Sequence, residues 1–155
     1  MKVRIALFLP LIFFFWIGCG ESQKGKDKEG NEVKLNRQDE IRLKQYIVKG
    51  RRIYETNCSN CHQPDGAGLG KLYPPLMASD YLSIDSLNRV ACLIKYGMEG
   101  PIVVNGKEYN QLMPANTQLN NLDIAEVMTY IYNEFGGQTT IITQHDVRKY
   151  LDECD

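Results

Sequence analysis

Two cysteines and a histidine stand close together near the middle of the chain, in the run Cys58-Ser59-Asn60-Cys61-His62. This C-x-x-C-H spacing places two thiols on one short helical turn, with an imidazole directly after them. Thiols in this position can bond a haem covalently, and the imidazole can ligate its iron. The motif therefore predicts one haem c per chain, attached through Cys58 and Cys61 and ligated by His62.

Other chemistries use similar pairs of cysteines. A zinc site would need two further ligands, and the candidates Cys92, His145 and Cys154 form no second closely spaced pair. A thioredoxin-like dithiol would need a βαβ context, which the flanking sequence does not supply. A chance match in an exported protein that carries disulfides is a third interpretation, because the pattern is short.

The start of the chain has the pattern of a secretory signal. Two basic residues precede an apolar run over residues 5–17, which is shorter than the ~20 residues of a membrane-spanning helix. The Ile-Gly-Cys tripeptide that ends at Cys19 resembles a bacterial lipobox, although Trp16 stands where leucine is usual. We therefore predict a signal peptide over residues 1–18 and a lipid anchor at Cys19. An ordinary cleaved signal and an uncleaved anchor are the alternatives.

Residues 19–38 form a polar segment that mixes lysines, acids and glycines without an apolar stripe. We predict a flexible tether, whose reach of roughly 20–25 Å would lift a small domain off a membrane surface. A disordered terminus without a tethering role is the alternative. The mature chain would hold 16 bases and 19 acids, a net charge of −3 that does not indicate nucleic-acid binding. Export to the periplasmic side or cell envelope permits both haem attachment and disulfides.

Two predicted helices flank the middle of the chain. From about Asp39 to Thr56 the apolar positions fall on one helical face, although Gly50 lies within the segment. From Asn120 to about Phe135 a second apolar stripe follows a residue that can cap a helix. Glycine destabilises a helix interior, so we expect Gly50 to permit the close approach of another helix.

The spacing along these helices resembles that of small soluble class I cytochromes c. In that family the N-terminal helix carries a glycine, an aromatic residue four positions later and the first haem cysteine four after that. Gly50, Tyr54 and Cys58 match this pattern. The family's last helix crosses that face with an aliphatic residue and an aromatic residue three later, which Val127 and Tyr130 match.

The resemblance covers about residues 39–137. It implies an all-α class I cytochrome c fold, with about three to five helices wrapped around one covalently bound haem and a small hairpin on the methionine side. It also implies that Pro74 offers its carbonyl to His62 and that Leu76 packs on the macrocycle. The family presents its distal ligand in a Met-Pro step ahead of the last helix, so His62 and Met113 are the implied axial ligands. A rigid turn at Pro74 and an apolar filler role for Met113 are the alternatives.

Three other methionines are weaker candidates for the distal ligand. Met77 lies in the loop assigned to the histidine side, Met128 falls on a helical core stripe, and Met98 lacks a following proline. We therefore rank all three below Met113.

The segment between the histidine loop and Met113 has two predicted elements. A helix is predicted over residues 84–96, with Cys92 on the face opposite its apolar stripe. Asn105-Gly106 between strand-like flanks predicts a two-residue hairpin, which leads the chain to Met113.

Residues 138–155 extend beyond the family's minimal domain. Thr143 can cap a short helix there. Two of the five cysteines, Cys92 and Cys154, remain without another role. Our hypothesis is that the extension lies across the outer face of the Cys92 helix and is joined to it by a Cys92–Cys154 disulfide. A pair of unpaired cysteines is the alternative.

These expectations describe a membrane-anchored electron carrier rather than an enzyme. Its redox partners would be an oxidase, a respiratory complex, a dehydrogenase or a reductase, met through a transient interface below about 1,200 Å². The alternative is a haem subunit or a catalytic or sensor cytochrome, whose distal position opens to bind a small molecule. The Met-Pro step favours the carrier.

Overall fold

The computed structural model describes residues 35–154. The predicted signal peptide, Cys19 and the tether up to residue 34 lie outside the described residues. Within the described range, no helix is both long enough and apolar enough to cross a membrane.

Helices dominate the described part of the chain, together with one two-stranded antiparallel hairpin. The helices are α1 (Arg37–Asn57), α2 (Ser59–His62), α3 (Leu87–Tyr96), α4 (Asn121–Glu134) and α5 (Gln144–Asp152), and the strands are β1 (Ile102–Val104) and β2 (Lys107–Tyr109). Two single 3-10 turns, Asp80–Leu82 and Ile84–Ser86, precede α3, so that helix begins three residues later than predicted. The architecture confirms the predicted all-α fold with a small hairpin.

The first helix begins at Arg37, two residues before its predicted start. The side chain of Asn36 accepts a hydrogen bond from the backbone N–H of Asp39 at 2.9 Å, which satisfies one of the free donors of the first turn. Asp39 and Glu40 add negative charge where the helix dipole favours it. The predicted boundary between the tether and the domain therefore falls inside α1.

The first and fourth helices cross at Gly50. A Cβ on Gly50 would meet the carbonyl oxygen of Glu126 and would lie 2.8 Å from the Cβ of Tyr130. Beside the crossing, the buried ring of Tyr54 lies 5.5 Å from the ring of Tyr130 and 5.2 Å from that of Phe135. These contacts confirm the predicted close approach, because only glycine leaves room for the partner backbone.

The C-terminal extension folds back along α4 and α3. Thr143 caps α5 in a reciprocal capping box with Asp146. The hydroxyl of Thr129 on α4 accepts a hydrogen bond from the backbone N–H of Ile142 at 3.0 Å, which fixes the approach to α5. On the outer face of α3 the structure joins Cys92 to Cys154 of the extension by a disulfide.

The hairpin turns through Asn105 and Gly106, both at positive φ, as a type I′ turn requires. Its tip is fastened to the segment before α3. The backbone N–H of Asp80 donates to the Asn105 side chain at 3.0 Å, and the backbone N–H of Asn105 donates to the Asp80 carboxylate at 3.1 Å. This pair of bonds holds the hairpin against the loop that follows Leu76.

Replacement of Gly50 by alanine tests the helix crossing. Helix propensity alone would stabilise the variant by about 1 kcal/mol. We expect the opposite, a loss of about 1–3 kcal/mol in the free energy of unfolding, because the added methyl group overpacks the contact with Glu126. Chemical unfolding of the holoprotein measures the change, with the exposed Gln45→Ala on the same helix as the control. A more stable Gly50→Ala variant would contradict the crossing.

Removal of the disulfide tests the attachment of the extension. The bond joins residues 62 positions apart, so the Cys92→Ser/Cys154→Ser variant should lose about 2–4 kcal/mol of unfolding free energy. Chemical unfolding without reductant measures this loss. Adding reductant should cause the same loss in the parent protein and no further loss in the variant. Recovery of Cys92 and Cys154 in separate peptides from an unreduced digest would contradict the bond.

Candidate functional site

An apolar cavity lies between the helices and the hairpin. Its empty volume is about 1120 Å³ including the part open to solvent, and its walls are mostly aliphatic and aromatic. Helices α1 to α4 and both strands contribute to these walls, through residues such as Tyr54, Leu93, Ile94, Val104, Tyr109 and Val127. Cys58, Cys61, His62, Pro74, Leu76 and Met113 all line it. The structure thus brings the predicted haem-binding residues to one apolar cavity.

The end of α1 positions the two thiols. Cys58 donates its backbone N–H to the carbonyl of Tyr54, and the N–H groups of Cys61 and His62 both donate to the Cys58 carbonyl. This tight turn is α2, and the hydroxyl of Tyr54 secures its exit by donating to the Gln63 carbonyl at 2.6 Å. Neither Cys58 nor Cys61 takes part in a disulfide, so both sulfurs are available for thioether bonds to a haem. Burial, followed by the nearby Cys61, raises the pKa of the Cys58 thiol to about 11.

The imidazole of His62 is held by Pro74. The His62 Nδ1 lies 3.0 Å from the Pro74 carbonyl oxygen, and since a carbonyl only accepts, Nδ1 must carry the proton. Burial lowers the pKa of His62, and the bond to Pro74 opposes this shift. The neutral ring therefore keeps its lone pair on Nε2, which is the form that ligates a metal.

A glycine turn sets the position of Pro74. Gly68 adopts a φ of +69° and donates its N–H to the His62 carbonyl at 2.9 Å. A Cβ on Gly68 would lie 2.7 Å from the carbonyl carbon of Pro74. The glycines of this loop therefore allow the backbone after His62 to return against the Pro74 segment, which also brings Leu76 to the cavity.

Two of the four methionines in the described residues line the cavity, Met113 and Met98. Their backbones form an antiparallel bridge with two N–H···O bonds of 2.9 Å. Met77 is nearly half exposed and Met128 is fully buried in the helical core, and neither is among the lining residues. Sequence reasoning ranked Met98 lower because it lacks a following proline, and no spacing in the sequence indicated its place beside Met113.

The residues present fit a covalent haem. Two thiols, a neutral imidazole and a thioether meet in a cavity with apolar walls, which suits the macrocycle and its iron. Across residues 35–154, no three histidine, cysteine, aspartate or glutamate side chains come together as a group that could hold a metal ion.

The fold and the site together define a c-type cytochrome, in which helices enclose a haem bonded to a C-x-x-C-H turn. The family model described as "Cytochrome c" matches residues 47–133. The chain belongs to the cytochrome c family, and its cofactor is a covalently bound haem c.

Relatives support the same assignment. The chain is 33% identical over 108 residues to cytochrome c-552 of Thermus thermophilus. The alignment covers 64% of this chain and 82% of that protein. It is 22% identical over 101 residues to the cytochrome c subunit of a quinone alcohol dehydrogenase from Gluconobacter oxydans, covering 64% of this chain but 21% of that subunit. A similar subunit from Komagataeibacter europaeus is 27% identical over 107 residues. The family match and these relatives confirm the predicted class I cytochrome c fold and the predicted electron-transfer role.

Proposed function

We propose that this chain is a monohaem electron carrier in which Cys58 and Cys61 bond the porphyrin, and His62 and Met113 are the axial ligands of the iron. The observation that carries the proposal is the presence of all four side chains around one apolar cavity. The haem supplies an iron that takes up and releases one electron at a time.

His62 is prepared for its role by Pro74. The 3.0 Å bond from Nδ1 to the Pro74 carbonyl fixes both the ring orientation and the tautomer. It also increases the basicity of Nε2, and so strengthens His62 as a ligand. Leu76, two residues after Pro74, lines the same cavity and would add apolar surface beside the porphyrin.

Met113 and the cavity walls together favour a raised reduction potential. A thioether is a soft, neutral ligand that favours the reduced iron. The aliphatic and aromatic walls exclude water, which disfavours the additional positive charge of the oxidised state. A site of this kind suits electron transfer without substrate chemistry.

The partners that we propose are redox proteins, namely an oxidase, a respiratory complex, a dehydrogenase or a reductase. Leu112 lines the cavity and leaves 58% of its surface exposed, so the rim of the haem site offers apolar area to a transient partner. Such contacts bury less than about 1,200 Å².

Two of the relatives are cytochrome c subunits of a quinone alcohol dehydrogenase. A haem subunit, or a catalytic or sensor cytochrome with an opening distal site, is therefore the second candidate.

We further propose that the domain is held at the membrane, on the periplasmic side or in the cell envelope. The supporting pattern is the apolar signal over residues 1–18 followed by Cys19. Residues 19–38 would be the tether, residues 39–137 the cytochrome domain and residues 138–155 its extension.

Replacement of Met113 by alanine tests the distal ligand. We expect the ferric protein to lose its methionine-to-iron charge-transfer band and the ferrous protein to bind carbon monoxide readily. The midpoint potential should fall by on the order of 100 mV, because axial ligands tune haem potentials over about 0.8 V. Absorption spectroscopy and redox titration measure these changes.

Matched methionine replacements control the Met113 experiment. Met77→Leu and Met98→Leu should keep the charge-transfer band, because neither substitution removes the proposed ligand Met113. If the parent ferrous protein itself binds carbon monoxide readily, the carrier proposal fails and the opening distal site is favoured.

Replacement of Cys19 by serine tests the anchor. Without its thiol the lipid cannot be attached, so we expect the protein to move from the membrane fraction to the soluble exported fraction. Fractionation of the producing cells, with haem absorbance as the marker, measures the change. A parent protein whose intact mass shows no lipid on Cys19 would contradict lipidation at this residue.

A further inference from the structure

The loop that carries Met113, residues 110–119 (the Met113 loop), has little structure of its own. It contains no helix or strand, and Gln111, Leu112 and Pro114 are exposed. Within it, one backbone bond joins Leu119 to Asn116. A thioether on such a loop keeps a fixed position only if the loop is held by a neighbouring element.

Most of the bonds that hold the loop go to the C-terminal end of α3, and one goes to α1, where the Asn57 side chain accepts from the Gln118 side chain at 3.1 Å. Met113 exchanges two backbone bonds with Met98, just beyond that helix. The backbone and side-chain N–H groups of Asn116 both donate to the Ile94 carbonyl at 3.2 Å. Gly97, at a φ of +75°, lets the two backbones approach, since a Cβ there would lie 2.7 Å from the Ala115 nitrogen.

Lys95 holds the far end of the same loop. Its ammonium group donates to the Thr117 carbonyl at 2.9 Å and to the Leu119 carbonyl at 2.8 Å. Hydrogen bonds from a charged donor are stronger than those from a neutral donor. The helix dipole also favours a cation at the C-terminal end of a helix. The loop is therefore fastened at Met113 itself and again four to six residues later.

The stripe of α3 that carries Lys95 is anchored earlier in the helix as well, because residues three or four positions apart share a face. Cys92, one turn before Lys95, is joined to Cys154, and the Asn88 side chain donates to the Glu153 carboxylate at 3.3 Å. Ile94, on the inner face of α3, lines the cavity. The end of α3 is thus fixed between the extension and the haem site.

We propose that Lys95 is a positioning residue for Met113, and that the C-terminal turn of α3 is the support that keeps the Met113 thioether on the iron. The proposal rests on the axial role of Met113 given above. Lys95 does not touch the haem; it acts by limiting how far the Met113 loop can move away. Weakening this support increases the fraction of molecules in which the coordination position of Met113 on the iron is open. An added ligand binds in proportion to that fraction.

Imidazole binding to the ferric holoprotein measures the open fraction. In Lys95→Met the aliphatic stem remains but the charge and the donors are lost. We expect imidazole to bind about tenfold more tightly than to the parent protein, because charged hydrogen bonds of this kind shift an equilibrium by about that factor. The charge-transfer band of the variant should also be weaker before imidazole is added.

Two control variants separate positioning from a general loss of charge. Lys95→Arg keeps the charge and donors and should stay within about threefold of the parent affinity. Lys44→Met removes an exposed charge from α1 and should not change imidazole binding. If Lys95→Met is not produced with haem attached, Lys95→Gln, which keeps one donor group, is measured in the same way and should show a smaller increase.

The outcomes distinguish this proposal from the axial assignment. If the parent protein lacks a methionine-to-iron band, the role of Met113 itself is wrong. If the parent has the band and the Lys95 variant keeps both the band and the parent affinity for imidazole, the positioning role of Lys95 is overturned. Tighter imidazole binding in Lys44→Met as well would also overturn it, because loss of charge anywhere would then be enough.

Discussion

Gly50 of α1 lies against the Glu126 carbonyl of α4, and this contact sets the geometry of the haem site. Cys58 follows the last residue of α1 and is eight residues after Gly50, so the angle at which the helices cross fixes the position of the thiols. The next residue of α4, Val127, faces the same cavity. A side chain at the crossing would separate α1 from α4 and open the space in which the porphyrin must be enclosed.

The cavity and the hydrophobic core share their walls. Tyr54, Ile94 and Val127 are buried in the core and also line the cavity, so the haem completes the packing rather than filling a separate pocket. The two proposed axial ligands are supported from two directions. A glycine loop and Pro74 hold His62, whereas the end of α3 holds the loop of Met113. The extension packs on the outer side of α3 and so stabilises a wall of the cavity without lining it.

Much of the fold could be predicted because its signals are local. The C-x-x-C-H run, the spacing from Gly50 to Cys58 and the Asn105-Gly106 turn each lie within a few residues, and each formed the element expected of it. The support of the Met113 loop could not be predicted in this way. Lys95 bonds to carbonyls 22 and 24 residues away, and Met98 pairs with a loop across the hairpin. A lysine near a helix end has no periodicity that would indicate such partners.

The most direct test of the account is the environment of the methionine methyl groups in the ferrous holoprotein. Proton–carbon NMR with labelled methionine methyls should show one methyl shifted far upfield by the ring current of the haem. Its through-space contacts should lead to Leu112 and Pro114, which flank Met113 in the chain. The absence of a shifted methyl, or contacts that lead instead to the neighbours of Met98 or Met77, would contradict the proposed His62/Met113 site.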